Sequence, residues 1–300
     1  MSEDNNAADT STSCCAFCGI AEIDDVKLKE CDGCDLVRYC SDECLSHHKS
    51  EHEEECKKRA AELRDELLFK QPESSHMGDC PICNLPLSLD RSKSIIYSCC
   101  CKSVCNGCCY ANEIREMEMR IAKSCPFCRA APSSLEECDK LRMKRVEAND
   151  PVAIRQEATK QYRKEEYIKA FDYWTKAAGL GDAEAHFRLS DLYHEGEGVE
   201  KNKGKEIDHM EEAAIGGHPA ARHNLGCHEK DNGNIERAVI HWIIAATQGQ
   251  NESMKNLMTA FKEGLVQKED LAIVLRAHKA SVDATKSPQR KAAEDSRRFE

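Results

Sequence analysis

Apolar residues fall along this chain in two textures: sparse and broken by cysteines between Cys14 and Cys138, then recurring at helical spacing from Asp150 onward. Within the first texture three stretches carry the amphipathic pattern of an α-helix, with apolar positions three and four apart. Glu53 to Gln71 places Ala60, Leu63, Leu67 and Leu68 among dense charge. It predicts a helix that runs on from His52 and is stopped by Pro72. The stretch between Cys109 and Ser124 predicts a second helix with Ile114, Met117 and Ile121 as its core stripe, and Leu135 to Glu147 predicts a third. The basic run LRMKR in that third helix reads as a solvated face. Residues 72–79 (PESSHMGD) are short, polar and turn-forming, and predict a linker. Residues 1–13 and 284–300 are polar without an apolar period, and predict disorder.

The second texture is an internal repeat. Aligning WTKAAGLGD at Trp174, HMEEAAIGGHP at His209 and HWIIAATQGQN at His241 superposes Trp174, Met210 and Trp242, then Gly181, Gly217 and Gly249. Leu189, Leu225 and Leu257 reproduce the same intervals of 36 and 32 residues, and the deficit coincides with a loop, Glu195 to Gly204, that the next repeat lacks. Periods in the thirties with paired alanines, a glycine and a bulky anchor predict helix pairs stacked into a solenoid. The glycine suits a left-handed helix C-cap, and the tryptophans suit the core. These residues resemble Sel-one-like repeats, most fully from Tyr193 to Gly226. The resemblance covers residues 151–283 and implies a tetratricopeptide-like scaffold with a concave surface for protein partners. Glu157 stands where the first repeat wants an apolar residue, so its opening helix is expected to be degenerate or a cap.

Composition narrows the function classes. In 300 residues, 43 Lys+Arg against 54 Asp+Glu leave a net charge of -11, which argues against non-specific binding to nucleic-acid phosphates. Aromatics make up only 5%, so a large aromatic-rich enzyme core is not expected. No run approaches the roughly 20 apolar residues of a membrane-spanning helix, and an intracellular location, cytoplasmic or nuclear, is expected.

Cysteine usage says more. Of 20 cysteines, 19 lie between Cys14 and Cys138, many in pairs two residues apart. In a reducing compartment that pattern points to metal thiolates, since a Cys-x2-Cys turn lets both sulfurs reach one tetrahedral zinc. The first cluster reads Cys15-x2-Cys18, Cys31-x2-Cys34-x5-Cys40-x3-Cys44-x7-His52-x3-Cys56, eight ligands for two closed zinc sites. Its spacing, with YCSDEC at Tyr39 to Cys44, resembles the MYND zinc finger. That resemblance implies one zinc on Cys15, Cys18, Cys40 and Cys44, and a second on Cys31, Cys34, His52 and Cys56. Cys14, His47 and His48 read as bystanders. Lys49 stands where the family commonly carries a tryptophan near its peptide-binding surface.

The second cluster reads Cys80-x2-Cys83, the triplet Cys99, Cys100 and Cys101, then Cys105-x2-Cys108, and Cys125-x2-Cys128. The elements CPIC and CPFCR, with their separation, resemble a RING finger of all-cysteine type. The resemblance implies a cross-brace: Cys80, Cys83, Cys105 and Cys108 on one zinc, and Cys125 and Cys128 on another with two members of the triplet, which two being open. Cys109 and Cys138 are left over. It also implies a docking face for a ubiquitin-conjugating enzyme, at Ile82, Pro126 and Arg129. Asn112 occupies a position where many active relatives carry a bulky aromatic.

The expected architecture is multidomain: two small zinc-stabilised cross-brace modules at 14–71 and 80–132, joined by the linker 72–79, a helical linker at 133–150, and an all-α repeat solenoid at 151–283. Four structural zincs are expected, two per module, and no catalytic residue, because closed thiolate and imidazole sites leave no position for an activated water. The expected function is a protein-protein interaction adaptor. The alternatives are a RING-type ubiquitin ligase whose repeats recruit substrate and, behind it, a transcriptional co-regulator. The expected partners are proteins, with a ubiquitin-conjugating enzyme among them in the ligase case, and neither membrane nor nucleic acid.

Overall fold

The computed structural model describes residues 14–23 and 25–297, so the expectation for residues 1–13 lies outside it. The chain forms two compact units, Met1–Leu68 and Phe69–Glu300. The first pairs two short antiparallel strands, β1 (Lys29–Glu30) and β2 (Arg38–Tyr39), with Lys29 opposite Tyr39 and Glu30 opposite Arg38. Helix α1 (Asp42–Leu68) follows, and merges the ligand-bearing turns with the predicted trailing helix into one element.

The second unit opens with a cysteine-rich module. Strands β3 (Ser94–Ile96) and β4 (Ser103–Cys105) pair antiparallel, and α2 (Asn106–Met119) leaves directly from β4. Its small core joins Leu87 and Val104 to Cys80, Cys105, Cys108 and Cys109. Helix α2 is shorter than its apolar stripe predicts. Arg120 adopts a left-handed conformation (φ 53°) and caps it, because the Glu116 carboxylate takes the backbone N–H and the hydroxyl of Ser124 and folds the chain back. The stripe also faces outward: Met117 is 65% exposed, while Asn112 and Glu116 are buried.

Helices α3 (Leu135–Glu147) to α11 (Lys268–Ala284) build the repeat region, with α4 (Pro151–Tyr162) on α5 (Tyr167–Ala178). Then α6 (Ala183–Glu195) packs on α7 (Lys203–Ile215), α8 (Pro219–Asp231) on α9 (Ile235–Thr247), and α10 (Asn251–Lys262) on α9. Asp150, Asp182 and Asn202 cap helix N-termini with their side chains. The aligned Gly181, Gly217 and Gly249 all have φ between 79 and 95°, the left-handed turn that ends each Ala-Ala helix. Trp174, Met210, Trp242, Leu189, Leu225 and Leu257 are all buried.

Residues 133–150 do more than link. Val146 and Met143 of α3 join the core of the first helix pair around Ile154, Trp174 and Leu189. The misfit Glu157 is buried there because Arg142 of α3 donates to it at 3.1 Å, so the basic run supplies the partner of a buried carboxylate. The described part of the 284–300 stretch, 284–297, also departs from expectation. Pro288–Ser296 forms α12, opened by the Ser287 side chain accepting from the Arg290 N–H, with Ala293 buried as α12 packs on α2. Its partner lies far away in sequence, which no local period reports.

Residues 72–79 pack as well. The His76 N–H donates to the Gly217 carbonyl at 3.0 Å. Its ring stacks on His218 at 4.1 Å, which stacks on Phe187 at 4.4 Å. His218 accepts the Ala221 N–H on Nδ1, so its Nε2 carries the proton and donates to buried Glu184 at 3.0 Å. Arg91 and Arg188 hold the same carboxylate. Burial, with Arg91 and Arg155 nearby and Asp182 opposing them, holds His76 down to about 4.

Two outcomes follow from this packing. A Cβ on Gly226 lies 2.5 Å from Trp242 Nε1 and 3.1 Å from the Ala238 carbonyl, so Gly226→Ala should lower stability by roughly 1–3 kcal/mol in chemical denaturation; an unchanged midpoint means a looser α8–α9 contact. His76 is depressed in the folded state from an ordinary 6.5, so between those values the unfolded chain binds a proton that the folded chain refuses, and stability falls as pH falls through that window. His76→Phe keeps a ring in the stack and should gain on wild type by on the order of a few kcal/mol across about pH 7 to 4. A pH-independent difference removes His76 from the effect.

Candidate metal centres

Backbone geometry gathers the ligands. In four Cys-x2-Cys turns the first carbonyl accepts the N–H four residues on: Gly19 to Cys15 at 2.9 Å, Asp35 to Cys31 at 3.3 Å, Asn84 to Cys80 at 2.9 Å and Arg129 to Cys125 at 2.9 Å. All four donors are left-handed, with φ between 54 and 73°. That conformation suits glycine, aspartate and asparagine, and three of the four positions carry them. The fourth carries Arg129.

The turns and α1 bring the side chains into four quartets, the ligand atoms within each lying within 4.8 Å of one another. The first is Cys15, Cys18, Cys40 and Cys44; the second is Cys31, Cys34, His52 and Cys56. The third is Cys80, Cys83, Cys105 and Cys108, and the fourth is Cys99, Cys100, Cys125 and Cys128. In each module the two quartets interleave along the chain, so each braces the other.

The spacing tests what such a quartet can hold. A tetrahedral zinc with Zn–S bonds of about 2.3 Å separates its sulfurs by roughly 3.8 Å. Observed separations are 3.5 Å (Cys18–Cys40), 3.7 Å (Cys31–Cys56), 3.8 Å (Cys83–Cys105) and 3.8 Å (Cys100–Cys125). His52 Nε2 lies 3.1 Å from Cys34 Sγ, and the cysteines are free thiols. These distances suit a shared zinc and far exceed a disulfide bond. The electrostatics agree. Burial raises Cys15, but N–H groups of Cys18, Cys40 and Phe17 outweigh it and bring the thiol to about 6. Its neighbour Cys40 is pushed up to about 12 by hydrogen bonding with Cys18 and Cys44 and by burial. Ionising the rest of such a quartet gathers an excess of negative charge that a divalent cation would offset.

The triplet resolves here. Cys99 and Cys100 join the fourth quartet, whereas Cys101, included among the ligand candidates, turns away into the core formed by Val146, Ile154 and Trp174. Cys101 is itself left-handed (φ 54°), and its sulfur lies 3.9 Å from the Ser98 carbonyl and from Gln156 Oε1. Cys109 is buried and accepts from the Tyr97 hydroxyl at 3.5 Å. His48 bonds the Tyr39 hydroxyl at 3.0 Å, and His47 stacks on Phe17 at 5.3 Å.

The three docking candidates fare differently. Ile82 is 41% exposed, Pro126 is buried, and Arg129 donates to Asn112 Oδ1 at 2.6 Å. Asn112, set apart in the sequence by what it lacks, is a hub: it also donates to Glu116 and to the Ser124 carbonyl. A fifth grouping, His76, Glu184 and His218, escaped sequence reasoning because its members are 108 and 34 residues apart. Its chemistry is that of an ion-pair network. His218 presents a proton where a metal needs a lone pair, and two guanidinium groups already hold the carboxylate.

Among the described residues no helix is long and apolar enough to cross a membrane. No curated protein matches the chain. Among solved structures it is similar to a Sel1 repeat protein from Oxalobacter formigenes, at 21% identity and TM-score 0.41, covering 60% of this chain and 73% of that one. It is also similar to c5321, a protective antigen present in uropathogenic Escherichia coli strains that displays an SLR fold, at 21% identity and TM-score 0.39, covering 63% of this chain and 40% of that one. The model of the MYND finger matches residues 15–56, and that of the Sel1 repeat matches 162–182, 183–218 and 219–250. The chain therefore joins a MYND finger and a second cysteine-rich module to a run of Sel1 repeats.

Proposed function

We propose that this chain is a zinc-stabilised protein-interaction scaffold, with four structural zincs holding two modules and the repeats offering a continuous surface to protein partners. The observation that carries the reading is the set of four closed quartets made only of sulfur and imidazole, with spacings that suit tetrahedral zinc. Such sites leave no coordination position for substrate or water, so their role is to fold the modules that carry the contacts. In the first unit the buried described residues are Cys15, Cys34, Tyr39, His52 and Leu68, three of them ligands. Binding of zinc to such a module is folding free energy, about 10–16 kcal/mol in comparable peptides.

A second reading, a RING-type ubiquitin ligase, has one observation in its favour. Arg129 holds a left-handed backbone that arginine seldom adopts, a cost that points to a use for its side chain. In this structure that use is internal, since the guanidinium braces Asn112 across the module. Ile82 and Phe127 remain exposed, at 41% and 43%, and supply an apolar face. Buried Pro126 does not extend it.

Elemental analysis of the purified full chain should give four zincs per molecule. A strong chelator should unfold both modules while the helical repeats persist by circular dichroism; unchanged near-ultraviolet and proton spectra after chelation would discard the zinc reading. In a ubiquitination panel of conjugating enzymes, the scaffold reading expects no transfer. Transfer that disappears in both Ile82→Ala and Arg129→Ala at unchanged zinc content would make the protein a ligase instead.

A further inference from the structure

Helix α12 seats on both halves of the third quartet. On the Cys105-x2-Cys108 turn, a Cβ on Gly107 would stand 2.7 Å from the Arg290 backbone nitrogen, so the two backbones touch through the missing side chain. On the Cys80-x2-Cys83 turn, the Arg290 guanidinium donates to the Pro86 carbonyl at 2.6 Å, the Leu85 carbonyl at 3.1 Å and Cys83 Sγ at 3.4 Å. The flanks are held by the ion pair of Lys93 and Glu294 at 2.8 Å and by Arg297 donating to the Ser92 carbonyl at 3.4 Å.

A guanidinium that donates at once to a ligand sulfur and to the carbonyls beyond its turn does two things. It fixes the direction of the sulfur, and it withdraws negative charge from a crowded thiolate cluster. Lysine, a single flexible point charge, cannot span the same three acceptors. We infer that Arg290 is an outer-sphere positioning residue for a zinc held by Cys80, Cys83, Cys105 and Cys108, so that the last helix sets how readily that one zinc is released and its thiols exposed. The inference rests on the zinc reading given above. Outer-sphere partners of metal ligands typically account for 10–100-fold in metal affinity.

The test uses the zinc-loaded full chain. Its zinc content is measured, a chromogenic chelator and a maleimide are added together, and the labelled cysteines are mapped by mass spectrometry over time. In Arg290→Ala the starting zinc content should equal wild type, while the third quartet is labelled about tenfold faster or more and the other quartets keep their rates. Arg290→Lys should fall between. Glu294→Ala, which weakens the seat but leaves the guanidinium in place, should label at close to the wild-type rate. In cobalt-substituted protein, the thiolate-to-metal charge-transfer band should move to lower energy in Arg290→Ala, because a lost hydrogen bond makes the sulfur a better electron donor. Full zinc content with wild-type labelling in both Arg290 variants overturns the inference. So does equal acceleration in Glu294→Ala, which would make α12 a lid with no special part for the guanidinium. If the third quartet is labelled at once in wild type, the zinc reading fails at that site and takes the inference with it.

Discussion

Thiolates repel one another, and this chain converges three or four cysteine sulfurs at a time in its cysteine-rich modules. Everything in those modules answers to that constraint. The left-handed turns at Gly19, Asp35, Asn84 and Arg129 bring pairs of sulfurs together, backbone amides favour the ionised form of Cys15, Cys31, Cys80 and Cys128, and the interleaving of quartets ties each turn to one distant in sequence. The second module's own hydrophobic core is small, with Leu87 and Val104 set among cysteines. Modules this small have little core to fold on burial alone, and in the zinc reading proposed above a cation supplies what the core lacks.

The repeat region obeys the opposite logic and is built on apolar packing. Its alanines let helices approach, as Gly226 does against Trp242, and its tryptophans fill what remains. Several charges are nonetheless buried inside it, among them the carboxylate of Glu157 in the first helix pair. That carboxylate is held by Arg142, and therefore by α3, so a segment with no place in the repeat becomes part of its first layer. Arg142 also holds Asp139, which Lys160 holds too, and the three charges around Glu157 close into a network at the start of the solenoid.

What was readable in the sequence is what depends on spacing. The eight cysteine and histidine positions of the MYND finger and the glycine and leucine positions of the repeats stand at short, fixed intervals, and the structure gathers the former into two groups and buries the leucines. What was not readable depends on partners far along the chain. The choice within Cys99, Cys100 and Cys101 turns on the left-handed backbone at Cys101 and on a core to which α3 and α4 contribute. The stripe of Met117 and Ile121 looks like a core face by period alone. In fact α2 buries Asn112 and Glu116, because their hydrogen bonds to Ser124 and Arg129 hold the last ligand turn. Helix α12 has no apolar period, and its order comes from α2 and from the Cys83 turn.

Three contacts in the second unit share a consequence. Cys101 enters the core of the first helix pair, His76 stacks on the His218 cap of α8, and α12 returns from the end of α11 onto α2. Each comes from a different part of the sequence, and each fastens the second cysteine-rich module to the repeats at a different place. A module held at three separated points cannot rotate about any one of them, so its exposed face, with Ile82 and Phe127, keeps a fixed bearing on the repeat surface. A module on a free tether, by contrast, gains only local concentration. The sequence 72–79, short and polar as a tether would be, is instead one of the fastenings, and its histidine is largely covered for that reason.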